Sequence, residues 1–124
     1  MNVVDSSAWL EYFADGPNAA VFAEPLCDIA ALVVPSMTIY EVFKVVYRQR
    51  GEDAALQAVA LMQQGTVVEL TASLAMIAAK TSLDTGLPMA DSIILATARQ
   101  QEAQLWTQDE HFRDVPGVRF VAKS

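Results

Sequence analysis

The stretch LPMADSIILATARQQEAQLWTQD, residues 87–109, contains a helix pattern followed by a strand pattern. Asp91 is the only charged residue before Arg99, so a helix from Met89 to Gln101 would be apolar on most of its circumference. Such helices are normally buried. The uncharged run Leu105–Thr107 then predicts a short strand. A buried helix that leads into a buried strand is typical of folds in which helices and strands alternate along the chain.

The same alternation of strand and helix patterns continues through the chain. The predicted strands are Asn2–Val4, Leu32–Val34, Val67–Leu70, Leu105–Thr107 and Val118–Val121. The predicted helices are Ala8–Ala14, a Pro25-interrupted stretch Asn18–Ala30, Met37–Gln49, Asp53–Gln63, Ser73–Asp84 and Met89–Gln101. Strands that alternate with helices indicate an α/β fold with a mostly parallel sheet. The uncharged strand cores agree, because parallel strands are covered on both faces.

Length and composition favour one folded domain over residues 1–124. The chain is 53% hydrophobic and 19% charged, which is typical of globular proteins. Gly51, Gly65 and Gly86 fall where helices should end, as expected for glycines that cap helix C-termini. The N-terminal sequence does not resemble a signal peptide, and no apolar run is long enough to span a membrane. We therefore expect a cytoplasmic protein with no membrane contact.

The net charge is −7, from 8 basic and 15 acidic residues. A negative protein is a poor match for nucleic acid phosphates and a good match for a cation or a basic partner. Two divalent ions bound by four carboxylates would change this balance, since −7 + 4 = −3. The charge alone therefore does not exclude a nucleic acid substrate.

Four acidic residues are expected at one edge of the sheet. Asp5 directly follows the first strand and Asp109 follows the fourth, while Glu41 and Asp91 lie near the starts of their helices. Ligands of parallel sheets bind beyond the carboxyl ends of the strands. Right-handed crossovers favour a sheet in which strands one, two and four are close together. These four carboxylates would then converge.

Each acid also has a purely structural interpretation. Asp5 and Asp109 are suited to cap helix N-termini, Asp91 to interact with a helix dipole, and Glu41 to lie on a solvated face. Two carboxylates about 4 Å apart, however, repel by roughly 4 kcal/mol at an effective dielectric of 20. A cluster of four therefore requires protonation or a bound cation.

An all-oxygen set of ligands suits Mg²⁺ or Mn²⁺ and not zinc. The only histidine, His111, and the only cysteine, Cys27, do not complete a zinc site. We interpret His111 as a polar residue at a helix start and Cys27 as a small buried hydrophobe.

Four motifs, in order, resemble those of PIN-domain ribonucleases and in particular VapC-type toxins of bacterial toxin–antitoxin pairs. They are VVDSSAWLEYF with Asp5, PSMTIYEVFKV with Glu41, LPMADSIILATAR with Asp91, and LWTQDEHFRDVPGVRFV with Thr107, Asp109 and Phe112. The resemblance covers essentially the whole chain, although residues 52–84 match only in general character. It implies a three-layer α/β/α sandwich around a parallel sheet of four or five strands.

The resemblance also implies a function, namely metal-dependent endoribonuclease cleavage by a metal-activated water, with Mg²⁺ or Mn²⁺ as the cofactor. Asp5 and Asp91 would be the main direct ligands, and Glu41 and Asp109 would bind through water or hold a second ion. Ser6 and Thr107 would orient the carboxylates by hydrogen bonding. The products would carry a 5′-phosphate and a 3′-hydroxyl.

Partners follow from the same resemblance: an RNA substrate, a VapB-type antitoxin that covers the active site, and a second copy in a homodimer. Glu41, Lys44 and Arg48 are spaced to lie along one helix face, so Lys44 and Arg48 are candidates for contacts with RNA phosphates. The equally plain alternative is that both are ordinary solvated side chains.

Three other functions are alternatives to the toxin nuclease. A signalling receiver domain requires paired acids after the first strand and a lysine after a late strand, but Asp5 precedes two serines and no lysine lies between Lys80 and Lys123. A catalytically idle PIN fold that only binds a partner is opposed by the presence of all four acids. A housekeeping RNA-processing nuclease is opposed by the absence of an appended domain.

Overall fold

The protein folds around one parallel five-stranded sheet, seen in a computed structural model that describes residues 1–124. The strands are β1 (Asn2–Val4), β2 (Leu32–Pro35), β3 (Thr66–Val68), β4 (Gln104–Thr107) and β5 (Val118–Phe120). The helices are α1 (Ser6–Phe13), α2 (Ala19–Cys27), α3 (Ser36–Arg50), α4 (Glu52–Met62), α5 (Ala72–Thr85) and α6 (Met89–Gln100). Two 3₁₀ turns complete the chain, Ile29–Ala31 and Glu110–Phe112. The predicted strands and helices are confirmed with small shifts at their ends, except that the helical stretch predicted over Asn18–Ala30 divides into α2, which ends at Cys27, and the 3₁₀ turn Ile29–Ala31.

The strand order is β3-β2-β1-β4-β5, and every neighbouring pair is parallel. The first strand of the chain is therefore the central strand of the sheet. It lies between β2, where Asn2 is opposite Leu32, and β4, where Asn2 is opposite Gln104. The expected adjacency of strands one, two and four is confirmed. Since their carboxyl ends meet at one edge, the segments that follow these strands meet there too.

Helices cover both faces of the sheet, which confirms the three-layer α/β/α sandwich. Val4 and Val34 point into a core built with helices α1 to α4, whereas Val3 and Val33 point to the opposite face, which is covered by α6. Alternate residues of each strand thus enter different cores, as the two-residue period of a strand requires. This double coverage explains the uncharged strands.

Helix α6 lies between the sheet and α5, so two opposite sides of it are buried. Ile94 and Leu95 pack on the sheet face with Leu105, while Ile93 packs against Leu74 of α5. All residues from Asp91 to Ala98 are consequently buried. The helix carries Asp91 in its first turn, where the surrounding packing fixes the backbone of this residue.

Two minor predictions were wrong. Gly65 does not cap a helix, because Gln63 caps α4 and Gly65 lies where an added Cβ would come 3.0 Å from the Leu32 carbonyl oxygen. Close approach to β2 therefore explains this glycine, whereas Gly86 does end α5 with the left-handed φ of 75°. Cys27 is exposed and not buried, because it is the last residue of α2.

The longest helices are too short or too polar to cross a bilayer, so no membrane-spanning helix is present.

Candidate functional site

The four predicted acids lie around the carboxyl edge of β1, β2 and β4. Asp5 directly follows β1 and caps the N-terminus of α1, while Asp109 follows β4 and caps the Glu110–Phe112 turn. Glu41 is in the second turn of α3, and Asp91 is in the first turn of α6. The capping interpretation of Asp5 and Asp109 is therefore correct, but it describes only part of their surroundings.

Asp5 is the most buried of these acids, with only 3% of its surface exposed. Its Oδ2 atom accepts hydrogen bonds from Ser7 Oγ at 2.6 Å, from Thr107 Oγ1 at 2.9 Å and from Ser7 N at 3.4 Å. Burial raises the pKa of Asp5; these donors oppose the rise, and the negative charge of Asp109 adds to it. The Oδ1 atom has no protein hydrogen-bond donor.

Glu41 is held to α1 by a single contact, in which Ser6 Oγ donates to Glu41 Oε1 at 2.6 Å. Burial raises the pKa of Glu41, the Ser6 hydrogen bond opposes this, and the charges of Asp5 and Asp109 add to it. The Oε2 atom has no protein donor.

Asp91 and Asp109 are joined by the ring of His111. Its Nδ1 atom lies 2.8 Å from Asp91 Oδ2 and 3.4 Å from Asp109 Oδ1. Burial raises the pKa of Asp91 to about 6, the His111 hydrogen bond opposes the rise, and the charges of Asp109 and Asp5 add to it. The hydrogen bond to Asp91 raises the pKa of His111, as does the charge of Asp109. The free oxygens are Asp91 Oδ1 and Asp109 Oδ2.

One arrangement is common to all four acids: protein donors engage one oxygen of each carboxylate, and no protein donor engages the other. Ligand atoms of Asp91, Asp109 and His111 also lie within 4.8 Å of one another. Carboxylate oxygens that have no protein donor and lie at one edge of the sheet are suited to a hard divalent cation. The donor set therefore fits Mg²⁺ or Mn²⁺.

The two candidate RNA-binding residues, Lys44 and Arg48, are exposed on α3 and form no salt bridge. With Ile39, Phe43 and the exposed Tyr40 and Tyr47, they line a shallow hollow of about 500 Å³. Lys44 Nζ lies 5.7 Å from the centre of the Tyr40 ring. Cationic and aromatic side chains thus share one surface of the helix that carries Glu41.

A larger groove of about 560 Å³ runs between α1 and the α3–α4 pair. It starts at Ser7 and Gln108, which hydrogen-bond to each other, and it includes Arg50 and Lys123. Since Ser7 also donates to Asp5, the groove opens directly beside the most buried acid.

Two residues of the site were not predicted. Ser7 was overlooked in favour of Ser6, although a serine two positions after a helix-capping aspartate is well placed to hydrogen-bond to it. His111 was interpreted as a polar residue at a helix start, which describes its place in the Glu110–Phe112 turn but not its contacts with the acids. The available signal was its position two residues after Asp109.

The comparisons with known proteins agree with this architecture. A toxin–antitoxin complex from Klebsiella pneumoniae contains a chain similar over 95% of both chains, with 19% identity and a TM-score of 0.80. VapC20 from Mycobacterium tuberculosis, described as a toxin that cleaves the sarcin–ricin loop, has 17% identity and a TM-score of 0.78, covering 96% of this chain and 98% of its own. DNA-bound VapBC from Salmonella typhimurium is similar over 98% of both chains, with 13% identity and a TM-score of 0.74.

At these levels of identity the structural similarities show the fold alone. No curated protein sequence matches the chain significantly. The sequence model of the PIN domain, in contrast, matches residues 3–118. The protein therefore belongs to the PIN-domain family.

Proposed function

We propose that this protein is a metal-dependent endoribonuclease that acts as the toxin of a toxin–antitoxin pair. The observation that carries the proposal is the shared arrangement of Asp5, Glu41, Asp91 and Asp109, each with one oxygen engaged by protein donors and one without a donor. Carboxylates fixed in this way are prepared for a cation. The PIN family and the similar solved structures of toxins support RNA as the substrate.

Asp5 and Asp91 would be the main direct ligands, with Glu41 and Asp109 binding through water or holding a second ion. Ser6 and Thr107 keep two of these carboxylates in fixed orientations through the hydrogen bonds that they donate. When bound, Mg²⁺ or Mn²⁺ makes a water molecule more acidic and stabilises negative charge at the phosphate. The carboxylates would orient a water for attack on phosphorus, the P–O3′ bond would break, and the products would carry a 5′-phosphate and a 3′-hydroxyl. No protein nucleophile is required.

Lys44 and Arg48 extend the proposal to substrate binding. Both follow Glu41 along one face of α3, and neither is neutralised by an acidic partner. Phosphates of RNA approaching the acids would meet these two cations, and Tyr40 and Tyr47 offer rings on which bases can stack. This local positive patch compensates for the overall charge of −7.

The proposed partners are an antitoxin with a basic segment and a second copy of the chain. Several structures similar to the protein are complexes of toxins with their antitoxins. The groove beside Ser7 and Gln108 has a mixed apolar and polar lining and lies where an inhibitory peptide would reach Asp5. Exposed apolar residues on α5, Met76, Ile77 and Leu83, are available for a homodimer contact, which light scattering after size exclusion tests.

The test is cleavage of a mixed cellular RNA pool by purified, antitoxin-free protein with Mg²⁺, with Mn²⁺ and with EDTA. We expect cleavage with either cation, none with EDTA, and none with Asp5→Asn. Glu24→Gln is the matched control, because Glu24 is exposed on α2 and its side chain has no hydrogen-bond partner. Intact RNA after incubation with the folded, metal-loaded wild-type protein would reject the nuclease and favour a PIN fold that only binds a partner.

A further inference from the structure

His111 is the only side chain that connects Asp91 to the rest of the acidic cluster. Asp5 and Asp109 are linked through Thr107, whose Oγ1 donates to Asp5 Oδ2 and accepts from the Asp109 backbone N–H at 3.0 Å. Asp91 lies on a different element, α6, and its carboxylate has no hydrogen-bond partner other than His111. The His111 ring therefore makes the one side-chain hydrogen bond between Asp91 and the segment after β4.

The orientation of that ring is also constrained from its own side. The backbone N–H of His111 donates to Asp109 Oδ1 at 3.0 Å, and the next residue, Phe112, is completely buried against the sheet. With the carboxylates ionised, Nδ1 must carry the hydrogen, because an ionised carboxylate only accepts. The ring contacts Asp91 Oδ2 and Asp109 Oδ1, so it does not compete for Asp91 Oδ1 and Asp109 Oδ2.

We propose that His111 is a positioning residue that holds Asp91 and Asp109 at the separation required for cation binding and does not itself ligate the cation. The inference rests on the proposed function, since it assigns a role within the same metal site. Its physical basis is that in each carboxylate one oxygen accepts a hydrogen bond from the protein and the other is left for the cation. Ser6, Ser7 and Thr107 engage one oxygen of Glu41 or Asp5. The His111 ring engages Asp91 Oδ2, and the His111 backbone N–H engages Asp109 Oδ1.

Without the ring, Asp91 has no hydrogen-bond partner that fixes its rotamer, and its negative charge faces that of Asp109, which keeps only the His111 backbone N–H. Removal of residues that orient metal ligands typically costs 10–100-fold in metal affinity. A ligand role predicts a different pattern, because imidazole prefers Mn²⁺ and later transition metals to Mg²⁺. A comparison of the affinities for Mg²⁺ and Mn²⁺ therefore distinguishes a positioning role of His111 from a ligand role.

The experiment measures Mg²⁺ and Mn²⁺ affinity by calorimetry, without RNA, for the wild type, His111→Ala and His111→Asn. The Asn amide can donate from nearly the same position as Nδ1. Arg113→Ala is the matched control, since Arg113 is exposed in the same segment and pairs only with Glu110 among the acids. Thermal unfolding in EDTA establishes that each variant is folded.

We expect His111→Ala to weaken both cations by a similar factor, about 10–100-fold, and His111→Asn to restore most of the affinity. Arg113→Ala should bind like the wild type. The inference is overturned if His111→Ala binds as tightly as the wild type or more tightly, or if both His111 variants lose Mn²⁺ selectively, which would assign direct ligation. Wild-type protein that binds neither cation would instead reject the proposed function.

Discussion

Thr107 donates a hydrogen bond of 2.9 Å to Asp5, joining two residues that are 102 positions apart in the chain and adjacent across the β1–β4 pair. Both side chains are buried, so the bond is shielded from water. The same hydroxyl accepts the backbone N–H of Asp109. Thr107 thus connects the first and the last acid of the site.

We expect Thr107→Val, which keeps the shape and removes the hydroxyl, to lower the free energy of unfolding by about 1–3 kcal/mol, because a buried carboxylate loses a donor and a backbone N–H loses its acceptor. Urea denaturation measures this loss. Thr66→Val is the control, since Thr66 is exposed on β3 and has no side-chain hydrogen bond; it should stay within about 0.5 kcal/mol. Equal stability of the two variants would contradict a structural role for the Thr107 hydroxyl.

The acid cluster predicts an unusual pH dependence for the metal-free protein. The pKa values of Asp5 and Glu41 are raised, mainly by burial, and that of Asp91 is raised to about 6 from 3.8. A carboxyl whose pKa is raised by folding binds protons more tightly in the folded state, so stability falls as pH rises through this interval. The raised pKa of His111 acts with the same sign, because its contribution is lost as pH rises above about 6.5.

In EDTA, the free energy of unfolding should therefore decrease between about pH 4 and pH 7, with Asp91 contributing up to about 3 kcal/mol. Saturating Mg²⁺ should reduce this decrease, since the cation binds the ionised carboxylates. Thermal unfolding across this pH range, with EDTA or Mg²⁺, measures both effects. Asp91→Asn should flatten the EDTA profile, and an unchanged slope in that variant would rule out the assigned origin.

Lys44 and Arg48 lead to a prediction about salt. If both contact RNA phosphates, the double variant Lys44→Ala/Arg48→Ala should reduce the slope of log affinity against log salt by about 1.4, because each contact with a single strand contributes about 0.7. Binding is measured in EDTA, so that cleavage does not interfere. Lys80→Ala, an exposed lysine on α5, is the control and should affect the slope little. A slope equal to that of the wild type would leave both residues as ordinary solvated side chains.

Phe112 anchors the segment that carries Asp109 and His111. It is fully buried with Val3, Val33 and Leu105, so Phe112→Ala should cost about 3–5 kcal/mol of stability. Phe120→Ala on β5 is a matched control with a partly exposed ring, and it should cost clearly less. Denaturant unfolding compares the two, and a similar loss in both would contradict the anchoring role.

The fold could be predicted from the sequence because its signals are local. The short runs NVV and LVV are apolar at every position, as buried parallel strands must be, and the helix from Met89 is apolar on sides that face both β-sheet and α5. The positions of Asp5 and Asp109 followed from the rule that functional residues lie after strands. That both lie at one edge of the sheet needed only the correct strand order, which the structure confirms.

The finer contacts could not be predicted, because they depend on side-chain direction. Ser6 and Ser7 are adjacent, yet Ser6 donates to Glu41 and Ser7 donates to Asp5, because successive residues of α1 point in different directions around the helix. His111 reaches Asp91 only because α6 and the segment after β4 converge, and the sequence places these residues 20 positions apart. The exposure of Cys27 likewise depends on where α2 ends against the rest of the fold.

The central place of β1 has a consequence for how the protein is made. As the first strand in the chain, it must wait for β4, about a hundred residues later, before its second edge is paired. Contacts this distant in sequence slow folding, because a long loop closes before they form. A growing polypeptide on the ribosome therefore carries Asp5 and Glu41 well before Asp109 arrives. The acidic edge is completed only when β4 and the segment after it have joined the sheet, so a partly synthesised chain lacks the full set of four carboxylates.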